Sequence, residues 1–244
     1  MAFRGQALVA IWNDIVAEGR TDFIEWHNRE HIFERLSIPG FLSGYRYRAV
    51  TDLPEYFTLY EVESLRTTTG ADYQARLDNP TAWTKRTLQF YRNLSRSLCE
   101  VAYSQGYGRG GYLQTIRFEA QPGQARQLRQ DLAERVLPPL LKMAGLTGLH
   151  LGVADREASS VHSEEKKDHS VEIPSWVLLI EATNPDASRR AGEWLLGGEL
   201  RRAGAGNAIT ANLYADRVCL QLRGARPASY RRAPNVMRKG PPRA

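Results

Sequence analysis

One pattern constrains this chain more than any other: the same run of six segments occurs twice. "GQALVAIWN" is apolar and β-branched and reads as a strand. "RTDFIEWHNREHIFERLS" opens polar, with Thr21 or Asp22 as its cap, and spaces apolar residues at helical intervals until "PGF" stops it. "FLSGYRYRAV" and "EYFTLYEVE" read as two more strands, joined by a turn at Asp52 to Pro54. A helix in two pieces follows, divided at Asn79-Pro80, and "SLCEVAYSQ" closes the set as a strand. The order is β-α-β-β-α-β. From residue 112 it recurs: "YLQTIRFEA", a helix perturbed at Pro138-Pro139, "GLHLGVAD", "SWVLLIEAT", the helix "ASRRAGEWLLGGELRRAG", and the long strand "AITANLYADRVCLQL".

Landmarks align between the halves. Ile11 matches Ile116 (116 − 11 = 105), Gly40-Phe41 matches Gly148-Leu149 (148 − 40 = 108), and Leu59-Tyr60-Glu61 matches Leu179-Ile180-Glu181 (179 − 59 = 120). The extra residues fall in an insert at about 155–174, so the sequence predicts a duplication with one long loop. The expected units are 1–106, 107–222 and a basic Pro/Arg-rich tail, 223–244. Each unit makes a four-stranded antiparallel sheet with helices on one face and a bare apolar face on the other, and two bare faces must bury each other. The expected fold is α+β: two tandem ferredoxin-like βαββαβ repeats packed sheet to sheet as an α/β-barrel. A cavity between the sheets is the expected ligand site.

Charge adds little to this. The net charge is +6, but the tail from Arg223 holds seven Lys/Arg and no acid, so the rest of the chain sums to −1 (6 − 7). Such a tail attracts phosphate without reading bases, and no specific nucleic acid partner is expected. No apolar run approaches a membrane span. The short, interrupted apolar start predicts no signal peptide, and two distant cysteines predict a reduced, cytoplasmic protein in which Cys99 and Cys219 are small core residues. Exposed sheet edges would permit a homo-oligomer.

Trp26, Glu30, His31, Arg35, Pro39, Gly40 and Phe41, within "WHNREHIFERLSIPGF", then "PEYFTLYEVES" and "YQARLDNPTAWTKR", carry a family likeness. Over residues 5 to 105 the chain resembles the dimeric α/β-barrel superfamily, and within it EthD-like members. The second half resembles the fold only, because its first helix has no histidine. The resemblance implies a small, often aromatic, substrate and one functional repeat beside one structural repeat. It leaves the chemistry open among cofactor-free monooxygenases, cyclases, isomerases, lyases and haem enzymes.

His27 and His31 lie four apart on one helical face, with Glu30 between them in the H-x-x-E-H order of inverzincin peptidases. That spacing suits zinc, with Glu61, Glu63 or Glu100 as candidate third ligands. The cofactor-free alternative makes His31 the general acid or base, with His27 beside it and Glu30 fixing a tautomer. The apolar arc of Trp26, Ile32, Phe33 and Leu36 leaves the histidines beside Phe23 and Ile24, at the helix edge near the barrel mouth or in solvent. Tyr45 and Tyr47 share one sheet face, the proposed cavity, where Tyr45 assists catalysis and Tyr47, Trp12, Tyr60 and Phe23 hold substrate. Arg46 and Arg48 face the other way, toward solvent. Trp83 packs the second helix. His150, or His169 in the insert near His162, offers an axial nitrogen for haem.

The leading expectation is a cofactor-independent enzyme that moves a proton on a small aromatic or polyketide-like molecule, with lyase, isomerase or monooxygenase outcome. The alternatives are a non-catalytic ligand-binding or stress-related barrel, and a zinc or haem enzyme.

Overall fold

A computed structural model describes residues 2–51, 53–160 and 171–221. The eight strands are β1 (Ala7–Ile15), β2 (Phe41–Ala49), β3 (Tyr56–Val62), β4 (Tyr91–Gly106), β5 (Tyr112–Ala120), β6 (Leu146–Ala154), β7 (Trp176–Ala182) and β8 (Ala205–Gln221). They close into one barrel in the order β1-β3-β2-β8-β5-β7-β6-β4, and every neighbouring pair is antiparallel. Each half therefore contributes a ferredoxin-like sheet, 4-1-3-2 and 8-5-7-6. The two long strands close the barrel, β4 onto β6 and β8 onto β2. Closure removes the free sheet edges that the sequence reading offered to a partner.

Among the described residues the barrel interior is filled with side chains where the sequence led us to expect a cavity between the sheets. Leu8, Trp12, Tyr45, Tyr47, Phe57 and Tyr214 are among the side chains that fill it. Trp12 Nε1 donates to Thr115 Oγ1 at 3.1 Å across the lumen, and the Arg117 guanidinium lies 4.9 Å from the Trp12 ring. An eight-stranded barrel is just wide enough for side chains to occupy its core, and large aromatics complete it here. One end is ionic. Arg109 pairs with Glu181 and stacks 3.9 Å from the Tyr45 ring, while Glu61 accepts from Gly5 N at 2.8 Å and Ser43 Oγ at 2.9 Å.

Helices cover the outside. Over the first half run α1 (Arg20–Trp26), a π-helical turn at His27–His31 and α2 (Ile32–Leu36). Beside them lie three short helices, α3 (Leu65–Thr69), α4 (Ala71–Asp78) and α5 (Ala82–Leu88). Over the second half run α6 (Ala125–Asp131), a π-turn at Leu132–Val136 and α7 (Leu137–Leu140). They are followed by α8 (Arg156–Ser160), α9 (Pro185–Trp194), a third π-turn at Leu195–Glu199 and α10 (Leu200–Arg202). The α1 cap differs from expectation. A 3-10 turn at Ala17–Gly19 leads in, and Gly19 holds the cap position. Asp22 instead reaches α5, accepting from Trp83 Nε1 at 3.0 Å and Arg86 Nη2 at 3.1 Å. Cys99 is buried in the lumen as expected, but Cys219 is exposed on β8. Among the described residues, no helix is long and apolar enough to cross a membrane. His162, His169, most of the insert, Asp52 and the basic tail lie outside the described residues.

Candidate functional site

The sheet divides the predicted site residues into two sets. Trp12, Tyr45 and Tyr47 point into the packed lumen. Phe23, His27, His31 and Tyr60 lie on the opposite face, between the sheet and the helices. Tyr60 thus shares no cavity with Trp12. Tyr45 and Tyr47 cannot meet a molecule held by His31, because the β-sheet stands between them. Tyr45 Oη accepts from Gln221 Nε2 at 2.7 Å, and burial pushes the Tyr47 phenol well above its usual range. These features suit a structural core.

The histidine helix is turned inward. His27 is 2% exposed and His31 8%, whereas Phe33, assigned to the apolar arc, is 43% exposed. The π-turn is the physical reason. It inserts one residue into the helical ladder and shifts the phase of everything around it. His27 and His31 have ring centroids 5.4 Å apart, and His31 packs 4.1 Å from the Trp26 ring. Burial, then the Arg46 and Arg35 guanidinium groups, hold His27 well below the usual imidazole range. Burial, then Arg35, does the same to His31. Both imidazoles are therefore neutral near pH 7, and the Nδ1 atom of each is buried without a hydrogen-bond partner.

His31 lines a small cavity of about 70 Å3. Its apolar walls include Val9, Ile11, Trp26, Phe41 and Leu77, and its polar groups come from Arg35, Tyr60, Tyr73, Tyr91 and Arg96. Arg96 is only 5% exposed, and its Nη2 donates to Tyr73 Oη at 2.8 Å. Arg46 lies under the same helix, 4% exposed, donating to Ile24 O at 3.3 Å. The expectation of a solvated Arg46 fails because the face opposite the tyrosines is the one the helix covers. Arg48 is half-exposed and pairs with Glu55 at 3.0 Å. Above the cavity, an open groove of about 600 Å3 runs between the histidine helix and α4–α5, lined by Glu30, Phe33, Arg76 and Trp83. Glu30 accepts from Thr81 Oγ1 at 2.6 Å across this groove, and Trp26 Nε1 donates to Thr84 Oγ1 at 3.1 Å below it. Glu30 thus ties two helices together rather than orienting a histidine.

Metal and haem expectations can be tested on the donor set. No group of three His, Cys, Asp or Glu side chains gathers around His27 and His31 among the described residues. Glu61 is inside the barrel, Glu100 sits on the surface beside Arg129, and Glu63 is exposed. His150 is fully buried in the lumen, with Nδ1 2.8 Å from Ser104 Oγ, Nε2 3.5 Å from Glu181 and its ring stacked on Phe3. Nδ1 is taken up by Ser104, while Nε2 makes no hydrogen bond and faces the Glu181 carboxylate at 3.5 Å in the barrel core, an anionic neighbour rather than the apolar slot that a haem requires.

Strand register lets the halves be matched position by position. Ile11 pairs with Thr58 and Arg96, and Ile116 pairs with Leu178 and Ala211. Arg46 pairs with Thr58, and Leu151 with Leu178. The two first-helix π-turns are related by the same offset as Ile11 and Ile116 (132 − 27 = 105). His27, His31, Arg35, Arg46, Tyr60 and Arg96 thus correspond to Leu132, Val136, Leu140, Leu151, Ile180 and Ala211. Arg96, Tyr73 and Tyr91 were missed in the sequence. The signal for Arg96 was a charge at the alternate position between Leu94 and Leu98 on one strand face.

No family model and no curated protein matches the sequence. Solved structures do match the fold. An anthrone oxidase-like protein aligns with a TM-score of 0.64 over 94% of this chain and 99% of its own, at 12% identity. A proposed monooxygenase of Fusobacterium nucleatum gives 0.56 over 91% and 97%, at 8% identity. One of Lactobacillus acidophilus NCFM gives 0.55 over 88% and 96%, at 10%. At these identities the likeness establishes the α+β ferredoxin-like barrel.

Proposed function

We propose that the chain is a cofactor-independent, cytoplasmic enzyme that moves a proton on a small aromatic or polyketide-like molecule, with His31 as the acid/base. One observation carries the reading. A neutral imidazole with an unpartnered Nδ1 sits in an aromatic-walled cavity beside buried guanidinium groups, where the second half has only Val136. A neutral His31 can accept a proton from a phenol or from carbon next to a carbonyl. The negative charge that develops faces Arg96 and Arg35, which are already desolvated and need no rearrangement to stabilise it. The resulting carbanion or phenolate then eliminates, isomerises or reacts with dioxygen, giving the lyase, isomerase or monooxygenase outcomes.

The cavity is small beside ordinary ligand pockets of roughly 300–1,000 Å3. Substrate binding therefore requires α4 and α5 to yield toward the outer groove, loosening the Glu30–Thr81 and Trp26–Thr84 contacts. The division of the chain into a functional unit, 1–106, and a structural unit, 107–222, derived by duplication, belongs to the same proposal, as does EthD-like kinship. The anthrone oxidase-like and monooxygenase likenesses make hydroxylated fused-ring ketones the first compounds to try. His31→Ala is expected to lower turnover by roughly a hundredfold or more. Unchanged turnover removes His31 from the chemistry, and ligand binding without turnover across the panel makes the protein a binder.

A further inference from the structure

We infer that the ligand of the His31 cavity is an aromatic anion, bound with its carboxylate or phenolate oxygen against the Arg96 guanidinium. This rests on the assignment of that cavity as the substrate site. Arg96 projects from β4 into the cavity, nearly without solvent contact, and its Nη1 has no hydrogen-bond partner. Its one side-chain hydrogen bond is to the Tyr73 hydroxyl, and no carboxylate pairs with it among the described residues. A guanidinium keeps its charge at any working pH.

The other charged group in the wall, Arg35, is also positive. Glu34 lies 3.9 Å from Arg35 and 3.8 Å from Arg76, outside the cavity lining. The remaining polar lining is the neutral His31 and the phenols of Tyr60, Tyr73 and Tyr91. A neutral aromatic would cover the apolar walls and leave the guanidinium buried and uncompensated. A bare inorganic anion would do the reverse. An aromatic carboxylate or phenolate answers both, with a charge-assisted hydrogen bond to Nη1 and ring contact with Trp26 and Phe41. Position 211 in the second half, which corresponds to Arg96, is alanine, so the charge is not needed to build the fold.

The test is titration of the full chain with 2-naphthoate and with its neutral isostere 2-naphthamide, followed by calorimetry. Wild type is expected to bind the carboxylate roughly tenfold or more tighter, the worth of one charge-assisted hydrogen bond. Arg96→Gln is expected to lose that preference, and His31→Gln to keep it. Equal binding of the two compounds by wild type, or binding of neither, overturns the inference without recourse to a variant. So does an Arg96→Gln protein that keeps the preference. If His31→Gln turns over like wild type while the preference stands, the acid/base reading fails and the anion site survives. If the preference is absent but His31→Gln is inactive, the reverse holds.

Discussion

The two halves set a helix with a π-turn over the same part of a sheet and fill the space beneath it with opposite chemistry. Under the first lie His27, His31, Arg35, Arg46, Tyr60 and Arg96; under the second lie Leu132, Val136, Leu140, Leu151, Ile180 and Ala211. The second half buries one continuous apolar cluster from Ile116 to Ala205. The first half splits its buried apolar residues around cations and unpartnered nitrogens. A backbone that accepts six apolar residues at these positions has no architectural need for the polar ones. Their burial costs free energy, which a folded chain tolerates where function requires it.

The comparison breaks most visibly through stability. Leu132→Ala, at the position matching His27, should cost about 2–5 kcal/mol in chemical denaturation and leave turnover nearly intact. A large loss of turnover in a still-folded protein would mean that the second half also serves the chemistry. The reciprocal change, His27→Leu, should raise stability near neutral pH by about 1 kcal/mol, because it removes a buried nitrogen that lacks a partner. The sign of its pH dependence follows from the depressed basicity of the buried imidazoles. The unfolded chain takes up protons below about pH 6.5, where the folded chain does not. Stability is thus complete above that pH and lost as it falls. His27→Leu should make the melting temperature less steep in acid. His150, also held low by burial, keeps part of the slope. A slope as steep as wild type would mean that His27 titrates normally in the folded chain. The smallest expected effect is from chelation. Exhaustive dialysis against a strong chelator should leave turnover unchanged, since only two nitrogens converge at the histidine pair among the described residues. Loss of turnover restored by zinc would revive the H-x-x-E-H reading.

Much of the architecture was legible because strand alternation, "PGF", Asn79-Pro80 and the recurrence near residue 112 are local signals. The fate of the histidines was not. A π-turn has no compositional mark, yet it decides that His31 faces inward and Phe33 outward. Tyr45 and Tyr47 were correctly placed on one face, but alternation alone does not say whether that face meets a cavity or a packed lumen. The sum of opposing side-chain volumes, Trp12, Phe57 and Tyr214 against the two tyrosines, settles that. Arg96 was legible in principle, by reading the two halves against each other at fixed offsets.

Closing the barrel within a single chain has a further consequence. A barrel assembled from two copies of one chain is bound by symmetry: whatever one copy carries, the other carries too, and every substitution is made twice. Here the two sheets are joined covalently through β4 and β5, and β8 returns to seal against β2. Each half is free to change alone. The chain can thus hold a single site per barrel and let the opposite half provide rigidity, a division of labour that identical partners cannot make.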